Sequence, residues 1–110
     1  MKITINGNTL KVKIADTFIS RFRGLMLQKQ LKPGSGLIIT KCNSVHMMFM
    51  RFAIDVVYLD KNFCIKKIVR NLKTWTGISF CLSAQSVLEL SAGEADRLNL
   101  QIGQIIKYEK

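Results

Sequence analysis

Short apolar segments follow one another along this chain with no helix between each pair, and this succession constrains the fold most. We predict about eight strands, at residues 2–14 (a hairpin), 36–40, 45–50, 53–59, 63–69, 86–90 and 105–108. A parallel, doubly wound sheet would need a helix between successive strands. The pattern therefore predicts a mainly β domain, an antiparallel β-sandwich or partly closed barrel with one or two short helices.

Turn and helix signals separate these strands. Residues 6–8 (NGN) and 60–62 (DKN) each join two strands in a hairpin, because asparagine and glycine tolerate positive φ. The apolar spacing over residues 17–29 predicts one helix, and residues 92–98 predict a second, shorter helix. Residues 71–84 show no clear period, so we interpret them as a loop.

Length and charge limit the classes of function. A chain of 110 residues is the size of one domain, so residues 1–110 are predicted to form a single domain. The formal net charge is +10, with 17 basic and 7 acidic residues. A field of this sign favours polyanions, acidic proteins or anionic lipid surfaces. A plainer explanation of the net charge is that exposed lysines keep a small protein in solution.

The cysteines and the absence of long apolar runs indicate the compartment. Cys42, Cys64 and Cys81 are widely spaced, contain no C-x-x-C pair, and are odd in number, which argues against a disulfide framework. The N-terminal residues lack the apolar core of a signal peptide, and no run approaches the ~20 apolar residues of a membrane span. We expect a cytoplasmic, reduced monomer with no membrane span.

The chain's only histidine points to a candidate site. His46 lies inside a dense apolar run, and Asp55 follows nine residues later, also among apolar side chains. Such groups need partners in a core or they cost stability. If strands 45–50 and 53–59 are neighbours, both could face one partly apolar pocket that binds a small ligand or a partner. The residues predicted for that pocket are His46, Met48, Asp55, Arg23, Glu89 and Trp75.

Other interpretations of the same residues stay open. A buried aspartate that accepts backbone hydrogen bonds can simply fix a turn and the strand register. A histidine oriented by a carboxylate can be a general base, but neither Ser44 nor Cys42 has a spacing that supports a nucleophile, so no catalytic residue is predicted. His46 with the nearby methionines could suit a soft metal, yet methionine is more often core filler, so neither a metal nor a cofactor is predicted.

A basic stretch gives the alternative function. No acid lies between Lys61 and Leu88, and Trp75 is close to the bases in sequence. Basic residues with an aromatic side chain could bind a polyanion such as nucleic acid, or an acidic partner protein. The residues predicted for that surface are Lys66, Lys67, Arg70 and Lys73.

Six short blocks carry a resemblance to a known family. In order, they are Arg21–Met26, Gly36–Ile38, His46–Met50, Ile54–Val56, Val87–Gly93 and Leu100–Gly103. With them, the chain resembles the bacterial and archaeal family catalogued as domain of unknown function 192, over about residues 10–108. The resemblance implies a small β-sandwich and no established activity, so it transfers no catalytic residue to this chain.

The chain departs from the pattern of that family in three ways. Gln104 stands where an aspartate often follows the final glycine, which removes one acid. Ala53 stands where a proline often precedes the aspartate strand, which puts a rigid turn there in doubt. Many members of the family carry a secretion signal or a membrane anchor, and we expect neither in this sequence.

Overall fold

The structure is a computed structural model that describes residues 1–17, 20–21, 24–26, 28 and 30–109. It confirms the predicted mainly β class. Of the helix predicted over residues 17–29, residues 18–19, 22–23, 27 and 29 lie outside the described residues. In the described part, the amides of Arg21 and Gly24 donate to the carbonyls of Thr17 and Ser20, and Gly24 has a φ of 49°. The second predicted helix is present as α1, Glu94–Arg97. The strands in the described residues are β1 Lys2–Ile5, β2 Asn8–Ala15, β3 Ser35–Thr40, β4 Ser44–His46, β5 Ile54–Leu59, β6 Ile65–Leu72, β7 Ile78–Phe80, β8 Ser86–Ser91 and β9 Lys107–Glu109.

Seven of these strands form one sheet, in the order β6-β5-β8-β3-β2-β1-β9, which curls into an open half-barrel. All its neighbouring strands are antiparallel except β2 and β3, which run parallel with Lys11 opposite Ser35. The strands β4 and β7 form a separate two-stranded sheet. The sheet is therefore mainly antiparallel, as predicted, and β2 and β3 can run parallel because the long connection between them lets the chain return to the same end.

The first hairpin forms as predicted. Ile5 is opposite Asn8, so the loop is the two residues Asn6 and Gly7, with φ of 50° and 79°. Two positive φ values make a type I′ turn, whose twist matches that of the flanking strands. The turn fixes the register, and the register places the apolar residues of β1 and β2 on one face and the lysines of β2 on the other.

The large sheet buries side chains on both faces. On the helix face, which α1 covers, Val57 and Leu88 pack with Leu98. The opposite face is named the hairpin face after the antiparallel pair of β4 and β7 that covers it. A covering segment, described at Gly24–Met26 and Leu31, also lies over this face, where Val56 and Val87 pack together. Every residue of β5 is buried, because this strand lies between β6 and β8 and has a core on each side. Successive side chains of β5 and β8 therefore enter different cores.

Two predicted elements around the candidate site are wrong. The strand expected over residues 45–50 ends at His46, because the amide of Met50 donates to the carbonyl of Met47 and Phe49 has a φ of 64°. Its partner is β7, which lies inside the predicted loop 71–84, and not β5. Met48 and Met50 therefore lie beyond the end of β4 and do not continue the strand alternation of His46.

Candidate ligand-binding site

Asp55 is a structural residue at the centre of the helix face. Its side chain is 1% exposed, and its partners are all backbone amides. Oδ1 accepts a hydrogen bond from Asn71 at 2.9 Å, while Oδ2 accepts from Gly93 at 3.1 Å and from Ala95 at 2.9 Å. Asn71 lies in a bulge of β6, and the other two amides open α1. The structural interpretation of Asp55 is therefore the one that the structure supports.

The structure does not bring His46 and Asp55 together. Asp55 is opposite Leu90 of the helix-face core, whereas His46 is opposite Ile78 in the small sheet that covers the hairpin face. The seven-stranded sheet separates the two side chains. The prediction of one pocket shared by both is therefore corrected. Sequence alternation showed that each strand has two faces, but it did not show which strands are neighbours.

Glu89 is the buried acid that faces the other way. It is opposite Val56, a residue of the hairpin-face core, and its side chain is 4% exposed. Oε1 is fully buried and has no hydrogen-bond partner among the described residues. Burial raises the pKa of the Glu89 carboxyl from an ordinary 4.5 to about 7. Removal of water disfavours the charged form, and no neighbouring donor compensates within that part of the chain.

Glu94 is a buried acid whose two carboxylate oxygens both have partners. Its Oε1 accepts a hydrogen bond from the amide of Gly34 at 2.7 Å, and its Oε2 pairs with the guanidinium of Arg97. Asp55 and Glu94 thus have several donors each, whereas Glu89 Oε1 has none in the described chain. Buried polar atoms are rarely left unpaired in native proteins, so an exception needs an explanation.

A small cavity of about 50 Å³ adjoins Glu89. Gly24, at a φ of 49°, brings the covering segment so close that a Cβ at this position would lie 3.6 Å from Glu89 Oε1. His46 is exposed and Arg21 is half-buried, so both contribute polar groups at the boundary with solvent. The residues that line the cavity are Arg21, Gly24, Leu25, Met26, Ile39, Cys42, Ser44, Val45, His46, Met50 and Glu89.

Cys42 adds a thiol to the wall of this cavity. Its Sγ donates a hydrogen bond to the carbonyl of Ser44 at 3.1 Å. Burial raises the pKa of the Cys42 thiol, so less of the nucleophilic thiolate is present. This environment suits a structural or ligand-contacting thiol better than a catalytic one.

The remaining residues of the predicted pocket lie elsewhere or are not described. Met48 is 52% exposed, beyond the end of β4. Trp75 is 56% exposed and packs edge-on against Phe49, with ring centroids 5.3 Å apart. Neither lines the Glu89 cavity. Arg23 lies outside the described residues. The prediction that these side chains bind a ligand stays a prediction.

The structure divides the predicted basic surface. Arg70 Nε lies 2.9 Å from Asp96 Oδ1 of α1, so this side chain extends over the helix face. Lys67 Nζ donates to the carbonyl of Phe80 at 2.9 Å, on the hairpin face. Lys66 Nζ lies 3.6 Å from Asp60 Oδ2 and Lys73 is exposed. The four bases therefore do not form one continuous stripe.

The sequence blocks pointed to the cavity better than the pattern of titratable residues did. Three blocks that carry the family resemblance, Arg21–Met26, His46–Met50 and Val87–Gly93, each contribute side chains to the Glu89 cavity. Reasoning from the sequence placed Glu89 as a partner of His46 and Asp55, and it missed Arg21, Gly24, Met26 and Cys42. The available signal was the glycine of the first block, which lets that segment approach the sheet.

The fold places this chain in the class of mainly β domains with a curled sheet. Within this class, the chain belongs to the family of domain of unknown function 192. The family model, described as "Uncharacterized ACR, COG1430", matches residues 1–108. The resemblance seen in the six blocks is therefore confirmed. In the described part of the chain, no helix is long and apolar enough to cross a membrane.

Archaeal proteins are among the relatives of this chain. The UPF0127 protein of Thermococcus sibiricus is 38% identical over 105 residues, covering 92% of this chain and 68% of that protein. A UPF0127 protein of Thermococcus kodakarensis is 36% identical and covers 89% of this chain and 64% of that protein. A UPF0127 protein of Pyrococcus furiosus is 35% identical and covers 92% and 89%. The chain thus spans about two thirds of the length of the two Thermococcus proteins.

Two crystal structures share the fold. A protein of unknown function from Novosphingobium aromaticivorans superposes with a TM-score of 0.89 at 19% identity, covering 98% of this chain and 84% of that chain. A protein from Sinorhizobium meliloti, described as a "putative transcription regulator", superposes with a TM-score of 0.85 at 23% identity, covering 96% and 89%. At these identities the likeness shows the fold alone.

Proposed function

We propose that this domain binds a small molecule non-covalently at the Glu89 cavity, and that the ligand donates a hydrogen bond to Glu89 Oε1. One observation carries this proposal: the oxygen is fully buried and has no partner among the described residues. An unpaired buried polar group costs about 1–3 kcal/mol. A ligand that supplies the missing donor removes this cost, so the unliganded protein is prepared to bind it.

The dimensions of the cavity limit what can reach the carboxyl. About 50 Å³ is enough for a group of a few heavy atoms, such as an amine, an amide or a hydroxyl. The rest of the ligand would lie at the rim, where His46 and Arg21 face solvent. The ligand class is therefore a small molecule with one terminal hydrogen-bond donor, and the proposed role is binding without catalysis.

The hydrogen-bonding and pKa of Cys42 support binding over nucleophilic catalysis. The Cys42 thiol is a candidate nucleophile in the cavity wall, but it donates its hydrogen bond to the carbonyl of Ser44 and its pKa is raised by burial. An activated cysteine needs the opposite, a lowered pKa beside a base.

A titration with small fragments tests the proposal. Methylammonium, acetamide and ethanol each offer a donor, whereas acetate at pH 8 has the same size and no donor. We expect the first three to shift the backbone amide NMR signals of Gly24 and Glu89, and acetate to leave them in place. At a ceiling of about 1.5 kcal/mol per heavy atom, methylammonium binds in the millimolar range at best, and the larger acetamide at tens of micromolar at best.

Two variants make the fragment test specific. Glu89→Met keeps the volume of the side chain but removes the acceptor, so the donor fragments should no longer shift these amides. Glu109→Gln, an exposed position on β9, is the matched control and should bind like the wild type. Equal shifts in the wild type and in Glu89→Met, or no shifts with any donor, would contradict the proposal.

A second candidate function, polyanion binding, is favoured by a local contact on the hairpin face. Lys67 Nζ lies 5.7 Å from the ring centroid of Phe80, which is exposed, as is Trp75. A base beside exposed aromatics can bind single-stranded nucleic acid through charge and stacking. This binding should weaken steeply with salt. At a fixed salt concentration, Lys67→Gln should weaken the binding of a labelled oligonucleotide more than Lys61→Gln does. Absence of binding by the wild type at low salt would exclude this function.

A further inference from the structure

A second cavity, of about 540 Å³, lies on the hairpin face over β1, β2 and β3. Its volume falls within the range of roughly 300–1,000 Å³ that is typical of small-molecule sites. The described residues that line it include four lysines, Lys2, Lys11, Lys13 and Lys32, and no acid. Of these residues, only Leu25 also lines the Glu89 cavity, so the two cavities are separate.

The lysines of the sheet are held close together by the strand register. Lys2 is directly opposite Lys11 in the antiparallel pair of β1 and β2. Such Cβ atoms lie about 4.5–5.5 Å apart, and like charges in this position are destabilising. Lys13 is two residues further along β2 on the same side, about 6.8 Å away. Three positive charges thus converge at one edge of the cavity.

No ion pair in the described chain compensates this charge. The salt bridges there involve Lys66, Arg70 and Arg97, and none of the four cavity lysines. Glu109 of β9 is directly opposite Lys2, on the side of β1 away from β2. Its carboxylate is not within ion-pair distance of Lys2. A bound anion would relieve the repulsion between Lys2 and Lys11, which a neutral ligand could not do.

The rest of the cavity suits an apolar body with some polarity. Leu37 belongs to the core of the hairpin face, and Leu25 and Leu31 come from the covering segment. Gln28 and Gln30 add hydrogen-bonding amides to the lining. We infer that this cavity binds a small organic anion, whose carboxylate or sulfonate lies between the three sheet lysines and whose apolar part contacts the leucines.

A pair of fluorescent probes with the same ring system tests this inference. Anilinonaphthalene sulfonate carries the anionic group, whereas N-phenyl-1-naphthylamine has the same aromatic body without it. The folded wild type should bind one equivalent of the sulfonate, with an affinity that falls as salt is added. Lys11→Gln should weaken binding of the sulfonate by up to about fivefold, as expected for one partly exposed charge contact. Its affinity for the neutral amine should not change.

The control is Lys61→Gln, in the exposed turn between β5 and β6, which should bind both probes like the wild type. The double variant Lys11→Gln, Lys13→Gln should weaken sulfonate binding more than either single variant. Amide NMR shifts at Lys11, Lys13 and Gly36 would place the probe at the cavity. The inference is overturned if the sulfonate does not bind, or if the double variant binds it as tightly as the control.

Discussion

The carboxylate of Asp55, on a central strand, accepts a hydrogen bond from the amide of Ala95 in the first turn of α1, at 2.9 Å. Gly93 stands at the N-cap position of this helix and has no side chain to cap it. Asp55 therefore supplies from the sheet the oxygen that an N-cap side chain normally supplies from the helix itself. The same carboxylate also holds the bulge at Asn71, so it joins three elements of the fold.

Removal of that carboxylate should destabilise the whole domain. Asp55→Ala leaves three backbone amides without their acceptor, so we expect a loss of about 3 kcal/mol or more in the free energy of unfolding. Asp96→Ala, on the same helix, removes only an exposed ion pair with Arg70 and should cost less than about 1 kcal/mol. Urea denaturation followed by circular dichroism measures both. Similar losses for the two variants would show that Asp55 does not have this role.

Glu89 should make the stability of the protein depend on pH. Its pKa is about 7 in the folded state and an ordinary 4.5 in the unfolded state. As pH rises, the folded state therefore keeps this proton to a higher pH than the unfolded state. Between these two pH values the unfolded state binds fewer protons, and stability falls as pH rises. The contribution of the protonated Glu89 carboxyl to the free energy of unfolding is fully present below pH 4.5 and is lost as pH rises through 7.

The variant Glu89→Gln isolates this effect, because an amide does not ionise. Relative to the wild type, it should become more stable by about 3 kcal/mol as pH rises from 4.5 to 8, since each unit of pKa shift corresponds to about 1.4 kcal/mol. Glu109→Gln should show no such trend. Urea denaturation at several pH values measures the difference, and a difference between Glu89→Gln and wild type that is constant with pH would contradict the prediction.

Gly36 and Gly77, whose φ is not positive, test the close packing of the fold. A Cβ at Gly77 would lie 2.4 Å from the carbonyl oxygen of Lys73, which is backbone and cannot move aside. A Cβ at Gly36 would lie 3.0 Å from Leu90 Cδ2, at the end of a flexible side chain. Gly77→Ala should therefore cost more stability than Gly36→Ala, with Gly77→Ala losing about 1–3 kcal/mol. Thermal denaturation measures which variant loses more stability. A larger loss for Gly36→Ala than for Gly77→Ala would contradict the close packing described at Gly77.

Local patterns predicted much of the fold. The turn at Asn6-Gly7 and the alternation of Leu10 and Val12 are contained in a few neighbouring residues, so the first hairpin was predictable. The pairing of β4 with β7 was not, because β7 is three residues long and Ile78 and Phe80 are both exposed. A short strand whose buried residue is a serine, Ser79, has no apolar alternation and gives little signal in the sequence.

The site was only partly predictable for a related reason. The sequence marked His46, Asp55 and Glu89 as polar groups among apolar strands. The two acids are buried, whereas His46 is exposed. Whether a side chain enters the helix face or the hairpin face depends on which residues are opposite one another across strands far apart in sequence. Asp55 is opposite Leu90 and therefore enters the helix face, whereas Glu89 is opposite Val56 and enters the hairpin face. Only the structure provides this register.

The most direct test of this account is a pH titration of the Glu89 carboxyl by ¹³C NMR in the folded protein. Burial without a partner places its pKa at about 7. The account predicts a titration midpoint near that value, and a lower midpoint when methylammonium is present, because a bound donor stabilises the charged form. A midpoint near the ordinary 4.5, unchanged by methylammonium, would show that Glu89 is already paired or hydrated and would contradict the proposed site.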